Sequence, residues 1–306
     1  MNSLPQGVQA FVIKFCPEAI KDAKSIMQVV KFISTFKKGD KYLLLFPAFP
    51  GVQEILKSLF NAFWLQNQKE MHKYLAEFRE VNLKIIAGIC KKDPDYQPFT
   101  YFEKMVDEMS IYIERKPKDP LNEDERFKSF SHLMHFGEAA STYVLEYVIN
   151  HNNEYHTPAG FIKASRLIKT KKSENKWNRF FTNLAITEIL VPEFLNVDVI
   201  ISQSTMGSND VGEIVYLDYL SSDFSAIVFA SSLKADVIYL TKFIGVEDET
   251  DDFIYENMTH QSFLNEGTEM ILKEGVVKVA EELGVSFYIR KYDNPDFPGT
   301  KVCTIA

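Results

Sequence analysis

The chain has 306 residues, with 34 Lys and Arg against 42 Asp and Glu, a net charge of −8. At 46% apolar and 25% charged residues it has ample apolar surface to offset chain entropy, which excludes a long disordered protein, and its acidity argues against general nucleic-acid binding. No apolar run reaches the roughly 20 residues of a membrane span, Met1 to Gln9 lack a signal-peptide pattern, and Cys16, Cys90 and Cys303 are too scattered for a zinc or disulfide framework, so a cytoplasmic location is expected.

Val8 to Phe15 is a β-rich apolar run ended by Pro17. Glu18 to Phe36 then places Ala19, Ile20, Ala23, Ile26, Met27, Val30 and Ile33 at steps of three and four, an amphipathic helix. Lys37-Lys38-Gly39 closes it, and Tyr42 to Phe46 is a second, wholly apolar strand. Two such strands joined by a helix predict a βαβ unit and a parallel sheet. Residues 52–150 read as mostly helical: Ile55 to Cys90 without a proline, then Phe102 to Ile113 and Phe127 to Ile149, with turns at Pro117 and Pro120. Strands return at Val197–Ser202, Glu213–Leu217, Asp236–Thr241, Phe287–Arg290 and Lys301–Ile305, with helices at Phe224–Leu233 and Thr268–Leu283. The basic stretch Lys169 to Lys176 reads as a solvated loop. The expectation is one three-layer αβα unit with a mostly parallel central sheet. Its N-lobe covers about 1–195, including a helical insertion at 55–150, and its C-lobe about 196–306.

Ligands of open parallel sheets bind beyond the carboxyl ends of the strands, and four segments are candidates. Lys14 ends the first strand, where it suits a phosphate or simply snorkels at the sheet edge. Gly137-Glu138, inside an apolar helix, suits an amine ligand or a close helix contact. Ser221-Ser222-Asp223 opens a helix, as caps or as a phosphate site with Asp223 facing a metal or a lysine. Thr241-Lys242 to Gly245 leaves a strong strand, as a nucleotide rim or a plain strand exit. His132 and His135 share a helix face, but no third metal ligand accompanies them.

In their order along the chain, these segments resemble the catalytic domain of aspartokinases, of the amino-acid-kinase fold. The family's Lys-Phe-Gly-Gly-Thr-Ser-Val is similar to Lys14-Phe15-Cys16-Pro17-Glu18-Ala19-Ile20, and its second-strand exit to Phe46 to Leu56, including Gly51. Its Gly-Glu stands as Gly137-Glu138, and Asp-Ala-Arg-x-Leu-Ile-x-Thr resembles Lys163 to Thr170. Its Gly-Arg-Gly-Gly-Ser-Asp-Tyr-Ser-Ala resembles Asp218 to Ala226, Trp-Thr-Asp-Val-x-Gly resembles Leu240 to Gly245, and Asn-Pro-x-x-Pro-Gly-Thr is intact from Asn294 to Thr300. The resemblance implies ATP with Mg2+ and a small acidic amino acid as ligands, and a homodimer. Lys14 and Asp223 would be catalytic. Glu138, Gly137, Gly51 and Tyr219 would bind substrate, and Ser222, Thr241, Lys242 and Gly245 nucleotide. The chain stops about where the family's regulatory ACT domains begin, so none is expected.

Aspartokinases transfer the ATP γ-phosphate to the aspartate β-carboxylate, a reaction carried by positioning and positive charge. Here Cys16-Pro17 replace paired glycines, and proline has no N–H. Tyr219 replaces the arginine that would grip the α-carboxylate, Leu220 and Ser221 replace glycines, Lys242 replaces an aspartate, and Glu269 replaces a lysine. These departures imply a weakly active or inactive relative that binds a ligand or a partner, the alternatives being a kinase rebuilt for another carboxylate or a structural partner of an active aspartokinase.

Overall fold

The computed structural model describes residues 4–90, 97–115, 117, 121–152, 157–171, 177–217, 221–247, 253–266 and 268–304. The chain opens with β1 (Ala10–Phe15), a 3-10 turn (Pro17–Ile20), α1 (Ala23–Ile33) and β2 (Lys41–Phe46). Four helices follow: α2 (Val52–Trp64), α3 (Gln68–Cys90), α4 (Gln97–Ile113) and α5 (Glu123–His151). After β3 (Ala159–Phe161) come α6 (Ala164–Leu167), α7 (Arg179–Ala185), a π-helical turn (Ile186–Leu190), α8 (Val191–Glu193) and β4 (Val199–Gln203). The last part holds β5 (Met206–Ser208), β6 (Ile214–Tyr216), α9 (Ser221–Leu233), β7 (Asp236–Thr241), β8 (Asn257–Thr259), α10 (His260–Asn265), α11 (Glu274–Leu283), β9 (Phe287–Lys291) and β10 (Thr300–Cys303).

Eight strands form one sheet in the order β3-β4-β2-β1-β7-β9-β10-β8. The first six are parallel, and β10 reverses against β9. The expected αβα architecture with a mostly parallel sheet is therefore present. Side chains alternate between two apolar layers. Ile13, Phe15, Leu44, Phe46, Ile201 and Leu240 pack under the layer holding α1, α2 and α5. Val12, Leu43, Leu45, Ile200, Val237 and Tyr239 pack under the layer holding α9 and α11. Because the strands are parallel, the ends of β1, β2, β4 and β7 meet at one edge, and the candidate residues collect there.

Several expectations change in detail. The helix read from Glu18 to Phe36 divides, because the Asp22 carboxylate accepts the Ser25 N–H at 2.8 Å and starts α1 only after the 3-10 turn set by Pro17. The proline-free stretch Ile55 to Cys90 is two helices, broken at Gln66 (φ 54°), after which Asn67 accepts the Glu70 N–H. The strand read at Glu213–Leu217 lies outside the main sheet, since β6 pairs antiparallel with β5 in a separate ribbon. Lys169 is half-buried rather than solvated. Its Nζ donates to Ser208 Oγ (2.8 Å) and to the Ser165 carbonyl (3.0 Å), tying α6 to the ribbon. Lys172 to Lys176, Pro120 and Gly267 lie outside the described residues.

Candidate functional site

The alternation of β1 decides where Lys14 points. Val12 belongs to the α9 layer, so Lys14, two residues on, faces α9 as well. Its Nζ lies 2.9 Å from Asp223 Oδ1, with side chains 12% and 19% exposed. Asp223 sits in the first turn of α9, where the helix dipole favours a carboxylate. Tyr239, on the same face of β7 and fully buried, donates its hydroxyl to the Asp223 carbonyl at 2.8 Å. Burial and the nearby Asp223 push that phenol well above its ordinary range, so it remains a neutral donor. Ser222 is half-buried beside Asp223.

The turn after Lys14 offers few backbone donors. The Cys16 N–H is held by the Leu240 carbonyl at 2.9 Å, Pro17 has no N–H, and the Ala19 N–H is held by the Cys16 carbonyl at 3.1 Å. Burial pushes the Cys16 thiol up to about 12, so it stays protonated. Across the β1–β7 pair, Thr241 closes its own turn, its Oγ1 accepting the Phe243 N–H at 3.0 Å. Lys242 is exposed, with its ammonium 5.1 Å from the Phe243 ring centre. Gly245 is buried against β10. A Cβ there would stand 2.6 Å from Ile254 Cγ2 and 2.8 Å from Thr300 Oγ1, so the backbone is in contact where a side chain would be.

A second group gathers at the ends of β2 and β4. Glu138 is 1% exposed, and its carboxylate accepts four hydrogen bonds: Ser204 Oγ (2.7 Å) and Thr205 Oγ1 (2.7 Å) on Oε1, Ser204 N–H (3.1 Å) and Thr205 N–H (3.0 Å) on Oε2. Burial pushes this carboxyl above the ordinary range, while the four donors pull it down. Gly137 lets α5 close on the loop after β2 and on α2, since its missing Cβ would lie 3.0–3.3 Å from Leu56, Ala48 and Val52. Ser141 Oγ donates to the Pro47 carbonyl at 2.6 Å and fixes the same loop. Gly51, at φ +79°, caps α2 in a conformation that L side chains rarely adopt.

The structure thus joins Lys14 to Asp223 directly and sets Thr241 beside them, with Lys242 and Gly245 on the following loop. Gly51, Gly137 and Glu138 surround the adjoining strand ends. Tyr219 and Leu220 lie outside the described residues. Ser204, Thr205 and Tyr239 were not singled out from sequence. The first two carried a faint signal, paired hydroxyl residues at the exit of a buried strand; Tyr239 carried none. Among the described residues no group of three His, Cys, Asp or Glu side chains is arranged to hold a metal, and no helix is long and apolar enough to cross a membrane.

No protein-family model matches the chain, and no curated protein matches it in sequence. Among solved structures it is similar to E. coli aspartokinase III in complex with aspartate and ADP, at 16% identity and a TM-score of 0.80 over 97% of this chain and 65% of that one. Clostridium acetobutylicum aspartate kinase matches at 16% identity and a TM-score of 0.75, over 97% of this chain and 63% of that one. Carbamate kinase from Giardia lamblia bound to AMP-PNP matches at 12% identity and a TM-score of 0.51, over 97% and 99% of the two chains. The chain has the amino-acid-kinase fold in its aspartokinase-like form, and it spans less than two-thirds of the aspartokinase chains it matches.

Proposed function

We propose that the chain is an aspartokinase-like scaffold that binds nucleotide, and that transfers little or no phosphate to aspartate. The observation that carries this reading is the unequal state of the two groups at the sheet edge. Lys14 and Asp223 form an ion pair that still reaches solvent, so an anion can compete for the ammonium. The Glu138 carboxylate has four donors from its own chain, so a substrate ammonium would have to displace them. The phosphate cradle beside Lys14 is weakened in the same direction, because Pro17 supplies no N–H. One such donor to a developing anion is worth roughly 10² to 10³ in rate. The nucleotides bound to E. coli aspartokinase III and to the Giardia carbamate kinase support the nucleotide half of the proposal. Mg2+ would arrive on the phosphates and share Asp223, in keeping with its habit of taking one or two carboxylates.

A second reading, a working kinase, draws on the Lys14–Asp223 pair and on the exposed rim cation Lys242. The deciding experiment is ADP release with aspartate, glutamate or N-acetylglutamate, with and without Mg2+, beside thermal shift with ATP. Thermal stabilisation without turnover is the expected outcome. Turnover on any of the three near an ordinary enzyme rate, about 1 to 10³ per second, would establish the working kinase. Absence of both responses would leave a structural role, as a homodimer or as the partner of an active aspartokinase.

A further inference from the structure

We propose that the protein has a second anion site, separate from Lys14 and Asp223, which takes a phosphate monoester carrying a small apolar body. The site is a cavity of about 490 Å³ where the start of α1 and the residues before it meet the C-terminal half of α3 and the loop after β2. That volume falls in the range of about 300 to 1,000 Å³ typical of small-molecule sites.

Its charge runs against the protein as a whole. The chain carries a net −8, yet Lys21, Lys24 and Lys84 line this cavity, from the end of the 3-10 turn, the first turn of α1 and α3 respectively. All three are exposed, and none is within ion-pair distance of a carboxylate among the described residues. The one acid in the lining, Asp22, has its Oδ1 accepting the Ser25 N–H as the α1 cap, and that bond, together with the nearby Lys21 and Lys24 ammonium groups, holds its carboxyl below the ordinary range. The N-terminal end of α1, an 11-residue helix, lies at the same spot and is capped by Asp22, so the lysines supply the surplus charge. With Asp22 counted against the three lysines, the described lining still carries a surplus of two positive charges.

The floor is apolar. Ile85 is buried, Ala23 and Val81 are half-buried, and Pro50 closes one side. Gly88 keeps the floor close, since its missing Cβ would touch Ala23 Cβ at 3.4 Å. A bare phosphate would meet only the rim; an ester with an apolar body would use both. The walls are also continuous with the candidate site. Lys21 follows the 3-10 turn that leads from Lys14, and Pro50 precedes Gly51, so an occupant would rest against the backs of both loops.

Titration with phenyl phosphate, inorganic phosphate and phenol, followed by calorimetry or amide shifts, tests the proposal. Phenyl phosphate should saturate, bind more tightly than either fragment, and weaken as salt is raised. The K21A/K24A/K84A variant should lose about tenfold or more in affinity, while its melting temperature stays near the parent's because the three side chains are exposed. Lys14→Ala should leave phenyl phosphate binding within about twofold. No saturation by about 10 mM, or a loss in Lys14→Ala that the triple variant does not share, would overturn the proposal. Because the readout is binding of a non-nucleotide, it stands or falls apart from the nucleotide reading above.

Discussion

Replacing Asp223 by Asn asks whether the Lys14 ammonium is the cation that a nucleotide meets. The pair stands at 2.9 Å with side chains 12% and 19% exposed. At an effective dielectric constant of about 20 the gross attraction is about 6 kcal/mol. Desolvation of both groups and their residual contact with water offset most of it, leaving a net contribution of about 1–2 kcal/mol. D223N keeps the shape and a hydrogen-bond acceptor, so it should lower stability by that amount. It should also release the ammonium and remove a repelling anion. Removing one repulsion of about 1–2 kcal/mol tightens Mg-free ATP roughly 5- to 30-fold. Lys14→Ala should weaken the same ligand at least about tenfold, the loss of one charge-assisted contact. Calorimetric titration in EDTA measures both. In Mg2+ the order should change, since D223N loses the carboxylate that the ion would share. If D223N weakens Mg-free ATP as far as Lys14→Ala does, Asp223 is not competing with phosphate for the lysine, and the reasoning fails.

The remaining predictions concern stability. Glu138→Ala removes both acceptor oxygens and leaves two buried N–H groups and two hydroxyls without their carboxylate, so urea denaturation should record a loss of about 3–5 kcal/mol; an unchanged midpoint would mean that the four bonds add nothing. Gly299→Ala should be severe, because φ is +66° and a Cβ would overlap the Ile289 carbonyl oxygen. Gly39→Ala, at φ +94° with nothing within 4 Å, should cost only about 1 kcal/mol. Equal melting temperatures for these two variants would contradict the contact argument. Burial holds His132 and His260 below the ordinary histidine range and brings His135 to about 4. The unfolded chain therefore takes up protons near pH 6.5 that the folded chain refuses, and stability should fall as pH drops from about 7 toward about 4. His135→Phe should flatten that slope, and a slope identical to the parent's would rule His135 out as a contributor.

The Lys14–Asp223 pair spans more than two hundred residues, yet both partners were candidates from sequence. Each closes or opens a strong local element, and a parallel sheet sends such ends to one edge. The β7 strand Asp236–Thr241 was legible to the residue, because strands buried on both faces read as continuous apolar runs. The edge strands β3 and β8 were not, since three residues give no periodicity to detect. The division of Ile55 to Cys90 depends on one residue, Gln66, whose left-handed backbone has no signature in a side chain of its kind. Least legible was the clasp on Glu138. Its donors stand 66 and 67 residues away, and hydroxyl residues after a strand usually mark a turn. The intact Asn294 to Thr300 motif, by contrast, was visible from sequence without its reason. Gly299 must take a left-handed conformation against β9 at the point where the chain reverses into β10.

The two groups at the sheet edge differ in how a ligand would have to enter. Lys14 and Asp223 meet at the border of solvent, so replacing carboxylate by phosphate would trade one anion for another at little desolvation cost. Glu138 is dry, and its nearest donors are parts of the turn that carries the chain from β4 into the β5–β6 ribbon. Pulling an ammonium into that clasp would leave two backbone N–H groups and two hydroxyls to find new acceptors, at about 1–3 kcal/mol for each donor left buried and unpaired. Few amino acids bind tightly enough to meet several such costs without an arginine for the α-carboxylate, and Tyr219 stands where the resemblance would place one. The asymmetry favours a ligand that engages the cation end alone. It follows that ATP should stabilise the protein to the same degree with and without aspartate; a further rise on adding aspartate would show the clasp opening, and the substrate side would then have to be counted as functional.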